Sequence, residues 1–287
     1  MPGISEEEQK ALLHIIIVGG GPTGVEVAAE MSDLFHDNLS RVYPHLAGKL
    51  HISIHDAANT ILGPFEESLR QHSLKSFSKR GVSIHTGSMI KSIDRDGLTT
   101  EADGKIPCGT VIWTAGNKQS TIVDKLALAK TDKMPRILTD EYLHALDENK
   151  EPLSSVFALG DAADVRKYYL PATAEVATQK AEYLVHALNT RDDPWAADPK
   201  TNQKVPFDYK QKATVAYLGG HDGVITGNPN WTGERAWGAW RSKNLSWVRN
   251  WRRRILILVT WGLDRLYMRE GVVSRFMGEK VWEGPRL

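Results

Sequence analysis

Residues 14–26, His14-Ile15-Ile16-Ile17-Val18-Gly19-Gly20-Gly21-Pro22-Thr23-Gly24-Val25-Glu26, decide the reading of this chain. The run Ile15 to Val18 is apolar without alternation, as a buried parallel strand requires. It passes straight into Gly19-Gly20-Gly21-Pro22-Thr23-Gly24 and then into a helix-like segment from Val25 to Phe35. Strand, glycine-rich turn and helix are the setting a dinucleotide fingerprint needs. Gly19 permits the tight turn, Gly21 lets backbone amides approach a pyrophosphate, and Gly24 lets helix and strand pack closely. The phosphates then sit on the positive end of the helix dipole. A glycine turn without a ligand is the plain alternative.

Working outward, Leu50 to Asp56 alternates as a second strand ending in an acid, further beyond Gly24 than the usual spacing of about 20 residues. The polar loop from Asp37 to Lys49 accounts for the surplus. Asp56 can accept from ribose hydroxyls, or it can cap the next turn. Glu66 to Lys79 reads as a helix stopped at Arg80-Gly81, and Val82 to His85 as a third strand. Ser88 to Asp94 and Leu98 to Glu101 read as short antiparallel strands, and Thr110 to Trp113 as a buried strand ending in Thr114-Ala115-Gly116-Asn117. Residues 14–136 thus predict a nucleotide-binding domain with a parallel core and a meander.

A second unit starts near Pro152. Ser155 to Leu159 reads as a buried strand, followed by Gly160-Asp161. An acid at that position suits a hydroxyl-rich ligand, but Gly-Asp is also ordinary turn chemistry. Ala172 to Leu188 predicts a helix carrying Glu175, Gln179 and Glu182, which by themselves describe a solvent face. Arg191 to Lys204 is polar and reads as a linker or surface loop.

Composition narrows the class. The chain has 287 residues, 36 Lys+Arg against 35 Asp+Glu, and net charge +1, so global charge gives no sign of nucleic-acid binding. Its one cysteine, Cys108, excludes a disulfide framework and a cysteine-built metal site, and the ten histidines show no ligand spacing. No apolar run reaches the roughly 18 residues of a membrane span. The tail is distinct: seven of the nine tryptophans fall between Trp231 and Trp282, with Arg235, Arg241, Lys243, Arg249, Arg252, Arg253 and Arg254 among them. Basic residues beside Trp and Leu describe an interfacial helix on anionic lipid, with Trp247, Trp251 and Arg252 to Arg254 as its contacts. A buried helical hairpin at a subunit interface and single-stranded nucleic-acid stacking are the competing readings.

Several motifs occur in order: Gly19-Gly20-Gly21-Pro22-Thr23-Gly24-Val25-Glu26, Trp113 to Asn117, Ala158-Leu159-Gly160-Asp161-Ala162, Pro171 to Ala177, Ala216-Tyr217-Leu218-Gly219, and a Trp/Arg-rich tail closing on Ser274-Arg275-Phe276. The series resembles the type II, non-proton-pumping (alternative) NADH:ubiquinone oxidoreductases, and its tail is similar to their fungal and plant mitochondrial branch. The resemblance implies an α/β flavoprotein of two Rossmann-like dinucleotide-binding domains with C-terminal amphipathic membrane-surface helices. It implies NADH or NADPH and FAD as cofactors, hydride transfer from NAD(P)H to FAD, electrons passed to a quinone, and a peripheral place on the mitochondrial inner membrane. No catalytic side chain, metal or nucleic acid is implied; a homodimer through the C-terminal region is compatible with it.

By the same resemblance, Gly19, Gly20, Gly21 and Gly24 hold the nicotinamide dinucleotide, Glu26 lies near the nicotinamide, Asp56 at the ribose, and Ala115-Gly116 along the cofactor. Gly160-Asp161 hold the ribityl chain, Thr173 and Ala174 pass beside the flavin, and Glu175 and Gln179 face the quinone. The expected segments are 1–140 for NAD(P)H, 141–230 for the remaining C-terminal part of the FAD domain, and 231–287 for the membrane tail. Family members carry an FAD fingerprint in an N-terminal half-domain, whereas this sequence has one glycine fingerprint. The FAD domain is therefore expected to be incomplete, the chain a truncated copy, and the alternative a non-catalytic membrane-associated NAD(P)H-binding fragment.

Overall fold

The computed structural model describes residues 3–132, 134–189, 205–248 and 250–267, the side chains of Asn38 and residues 264–267 excepted. The Arg191 to Lys204 loop, Trp282, Ser274-Arg275-Phe276 and the end of the 231–287 segment lie outside the described residues. Two compact units form: Met1–Ala115 with Ala213–Leu287, and Gly116–Lys212. The divisions thus fall at 115/116 and 212/213 rather than at 140 and 230. The cause is packing, because Ala216, Tyr217, Leu218 and Val224 build into the core of the first unit.

In that unit α1 (Glu6–Leu12) starts at Ser5, whose hydroxyl accepts the Glu8 N–H at 3.1 Å. β1 (His14–Val18) runs through the glycine turn into α2 (Pro22–Asp33), π-helical Leu34–Leu39 and the short α3 (Ser40–Val42). The helix starts at Pro22, earlier than the expected Val25, because Gly21 caps it with extended backbone and Pro at the first turn needs no N–H partner. β2 (His51–Asp56), α4 (Glu67–Lys79), β3 (Val82–Thr86) and β7 (Thr110–Trp113) complete a parallel sheet of order β3-β2-β1-β7. Between β3 and β7 lies an antiparallel meander, β4 (Ile90–Asp94), β5 (Gly97–Thr100) and β6 (Gly104–Pro107).

The unbroken apolar run of β1 has a plain cause. Ile17 packs with Ile54, Val25, Ala28, Ala29, Leu69 and Phe77 on the helix side, while Ile16 and Val18 pack with Leu98 and Cys108 of the meander region. Each fully buried aliphatic side chain contributes about 1.5–3 kcal/mol of transfer free energy.

The second unit has α5 (Thr121–Lys125), β8 (Ile137–Thr139), β9 (His144–Leu146), β10 (Pro152–Phe157), β11 (Ala163–Val165) and α6 (Ala174–Asn189), with sheet order β10-β9-β8-β11. The expected buried strand at Ser155 to Leu159 is a correction: Ser154, Ser155 and Val156 are exposed, Val156 at 41%. β10 lies at a sheet edge and, among the described residues, pairs only with β9, in irregular register.

After Ala213 the chain returns to the first unit as β12 (Val215–Gly219), β13 (Asp222–Ile225), β14 (Trp231–Thr232) and α7 (Gly233–Trp247), followed by α8 (Trp251–Tyr267). Ala216, Leu218 and Val224 join the α2–α4 core. No helix among the described residues is long and apolar enough to cross a membrane.

Candidate functional site

The site in the first unit begins at the C-terminal end of β1, where open parallel sheets receive their ligands. Gly19, at φ +114°, donates its N–H to His55 O at 2.8 Å; a side chain there would be strained and crowded by Thr114. Gly24 is fixed by contact: a Cβ on it would lie 1.9 Å from Gly19 O, so only glycine lets α2 cross the turn this closely. Gly21 is the opposite case, with open space around its Cβ position and no side chain capping α2. The first-turn amides of α2 therefore keep room for an anion. Gly20 N–H donates to Asp56 Oδ2 at 2.5 Å, and Asp56 Oδ1 accepts the Ala58 N–H at 2.7 Å. The structure thus shows the capping role for Asp56, with a second lone pair on each oxygen left for a hydroxyl.

Glu26 points to the C-terminal arm. Its Oε1 accepts the Tyr217 N–H at 3.2 Å and the Trp240 indole N–H at 3.1 Å, and burial pushes its pKa up against the lowering effect of both bonds. On the meander face of the sheet, His55 is buried, stacked on His85 at 4.4 Å and bonded to Ser88 Oγ at 2.9 Å. Burial first, then the neighbouring His85, holds its pKa down to about 4. A cavity of roughly 650 Å³ lined by His14, His51 and α1 opens at the N-terminal ends of the strands, the end opposite the glycine turn.

In the second unit Gly116 and Asp161 line one cavity of roughly 370 Å³, with Asn117, Gln119, Ser120, Arg136 and Ala172 among its walls. Gly116 (φ +69°) and Gly160 (φ +77°) have open space where a Cβ would stand. Two polar atoms in these walls are buried without a partner among the described residues, Gln119 Nε2 and Arg136 Nε. Arg136 is 4% exposed; its Nη1 donates to Leu170 O at 3.2 Å and lies 3.8 Å from Asp164 Oδ2. Asp164 accepts the Val165 and Leu170 N–H groups, and buried Lys180 donates to Ala163 O at 3.2 Å. Burial lowers the Lys180 pKa, and the Asp164 charge opposes this.

Ala115 accepts the Trp113 indole N–H at 2.5 Å, and Thr173 Oγ1 accepts the Val176 N–H ahead of Ala174 at the start of α6. Glu175 pairs with Lys212 Nζ at 2.6 Å and accepts from Gln179 at 2.7 Å; Gln179 also exchanges two hydrogen bonds of 3.0 Å with the Lys210 backbone. The carboxylate therefore carries a counter-cation. In the tail Trp247 and Trp251 are exposed, Arg252 lies over the Trp251 ring and Arg253 is exposed. Arg254 instead donates to Val248 O at 2.5 Å and Ser246 O at 2.9 Å, closing the C-terminal end of α7.

Gln119, Arg136, Asp164 and Lys180 were not singled out from the sequence. Lys180 left one trace, since it interrupts the apolar stripe Val176–Leu184 of α6. Arg136 left none, because its partners Tyr169 and Leu170 lie more than thirty residues away in sequence.

A parallel sheet ending in a glycine turn and a helix start without a side-chain cap is the arrangement found in dinucleotide-binding α/β proteins. The model of the pyridine nucleotide-disulphide oxidoreductases matches residues 3–181, and the chain belongs to that family. It is 30% identical to a probable NADH dehydrogenase of Dictyostelium discoideum, over 94% of this chain and 58% of that protein. It is 29% identical to internal alternative NAD(P)H-ubiquinone oxidoreductase A1, mitochondrial, of Arabidopsis thaliana, over 91% of this chain and 52% of that protein. The chain thus spans a little over half the length of these curated relatives. Among solved structures, NDH2 from Plasmodium falciparum in complex with NADH shares the fold, with TM-score 0.82 at 21% identity, over 94% of this chain and 69% of that one.

Proposed function

We propose that this chain binds NAD(P)H at the Gly19–Gly24 turn and forms part of the flavin site of a mitochondrial NAD(P)H–ubiquinone oxidoreductase. The observation that carries the reading is the pairing of Gly24, which admits no side chain, with Gly21, which leaves the helix N-terminus open. The first-turn amides of α2 bind the pyrophosphate, and Asp56 accepts from the ribose while holding the turn. The donor-rich cavity of the second unit fits a polar part of FAD: Gln119 and Arg136 have unspent donors, and Asp161 can accept from a hydroxyl. Bound FAD supplies the hydride acceptor, and the chemistry is the cofactor's. The family resemblance supports Thr173 and Ala174 beside it and Glu175 with Gln179 on the quinone side. Lys212 beside Glu175 offsets a carboxylate charge that would disfavour an anionic neighbour.

The membrane reading, peripheral at the mitochondrial inner membrane, is supported by α8. Ile255, Leu256, Leu258 and Val259 are each 44–51% exposed, beside exposed Trp251 and three arginines. A homodimer through the same surface would compete with lipid for it. The second reading is a non-catalytic, membrane-associated NAD(P)H-binding protein, for which the Gly19–Gly24 turn and the exposed apolar face of α8 suffice.

Calorimetric titration with NADH, flavin absorbance of the protein incubated with FAD, and NADH oxidation with a short-chain quinone test these readings together. All three signals are expected of the oxidoreductase. NADH binding without flavin uptake or turnover would leave the binding protein, and failure to bind NADH would sink both.

A further inference from the structure

Glu26 stands two residues past Gly24 on the helix that closes the glycine turn. Its Oε1 receives both Tyr217 N–H and the Trp240 indole N–H. Two turns on, Asp33 of the same helix accepts the Tyr217 hydroxyl at 2.6 Å, the Gly220 N–H at 3.1 Å and the Arg80 guanidinium. The Tyr217 ring stacks on Trp240 at 4.8 Å and 16°. The α2 helix is thus gripped near both ends by β12 and, through Trp240, by α7.

The next residue carries the link outward. The Arg241 guanidinium lies over the Trp237 ring at 5.1 Å and over the Trp261 ring, on α8, at 4.0 Å. A continuous series of contacts therefore runs from α8 through Arg241, α7, Trp240 and Glu26 to α2, all within one compact unit. The α2 backbone in turn touches the turn directly, at Gly24 against Gly19 O.

We propose that Glu26 and Trp240 are positioning residues that fix α2, and with it the dinucleotide turn, to the C-terminal arm, so that NADH affinity and engagement of an anionic lipid surface by α8 are coupled. The proposal rests on the nucleotide and membrane readings above. It assigns Glu26 to holding the helix rather than to touching the nicotinamide. Whatever orders α7 and α8 at a surface also orders α2, whose first-turn amides must meet a pyrophosphate at hydrogen-bond distance. Linkage makes the effect reciprocal.

The test measures NADH affinity of the full chain without lipid, with phosphatidylcholine vesicles, and with phosphatidylcholine–phosphatidylglycerol vesicles; it also measures vesicle affinity with and without NADH. Anionic vesicles are expected to tighten NADH binding about fivefold, and NADH to tighten vesicle binding by the same factor. Trp240→Phe, which keeps the ring stack and loses the indole donor, is expected to cut that factor to below about twofold while still binding vesicles. Glu26→Ala should do the same, and Glu26→Gln, which retains an acceptor oxygen, should restore it. Vesicle-bound wild type with unchanged NADH affinity overturns the coupling, as does Trp240→Phe with the full shift. A wild type that ignores anionic vesicles overturns it through the membrane reading, and one that never binds NADH overturns it through the nucleotide reading.

Discussion

Gly21 and Gly24 are chemically identical and physically opposite. Gly24→Ala drives a methyl group into Gly19 O, so the turn must open; a loss of about 2–4 kcal/mol of stability is expected in thermal or urea unfolding. Gly21→Ala meets nothing and suits extended backbone, so stability should stay within about 1 kcal/mol of wild type. Its NADH affinity should nevertheless fall at least tenfold, because the methyl group enters the space proposed for the pyrophosphate. Equal stability losses at the two positions would contradict this division of roles. The tight turn at Gly19 and the close packing at Gly24 were legible from spacing alone. That Asp56 spends both oxygens on Gly20 and Ala58 was not, because the loop after β2 folds back by contacts no local pattern encodes.

His55 gives a pH prediction. Its folded-state pKa is held down to about 4, against about 6.5 in an unfolded chain, so the unfolded state binds the extra proton between those values. Its contribution to stability is therefore complete above about pH 6.5 and is lost as pH falls towards 4. In a series of unfolding curves over that range, His55→Gln should reduce the proton uptake on unfolding by about one. An unchanged slope would show that the stacked His55–His85 pair does not set the acid limit.

At the scale of elements, α6 carries a lysine in its apolar stripe. Arg136 pairs with the buried carboxylate of Asp164, and buried Lys180, bonded to Ala163 O, feels the same charge, so these buried groups hold more positive than negative charge. Lys180→Met keeps volume and removes a desolvated cation; stability is expected to hold or rise by about 1 kcal/mol. Asp164→Ala strands both cations, and a loss of about 3–5 kcal/mol is expected by the same unfolding measurement. The helix itself was legible from its period, while the buried cluster was not, because a lysine on a helix ordinarily reads as a solvent face. β10 shows the converse. Its apolar residues gave a buried strand by composition, yet a place at the sheet edge left Val156 exposed.

The α8 helix separates two kinds of arginine. Arg252 and Arg253 are free of backbone duties among the described contacts, while Arg254 caps α7. Arg252→Glu with Arg253→Glu should weaken binding to anionic vesicles at least tenfold in a sedimentation assay, with an unchanged melting temperature. Arg254→Glu should lower the melting temperature as well, since it puts an acid against the negative end of α7.

At the scale of the whole molecule, the sequence determined what short-range chemistry controls. It set the strand–turn–helix at residues 14–33, the parallel core with its meander, the stop of α4 before Arg80-Gly81, and the Trp/Arg-rich tail. Each follows from periodicity, glycine or charge within a few neighbouring residues. Tertiary structure decided where distant segments meet. It returned residues 213–267 to the first unit, turned Glu26 towards Tyr217 and Trp240, and buried Arg136 and Lys180 around Asp164. Those contacts join residues far apart in the chain. Their free energy comes from area and hydrogen bonds that exist only once both segments are in place, so no local pattern announces them.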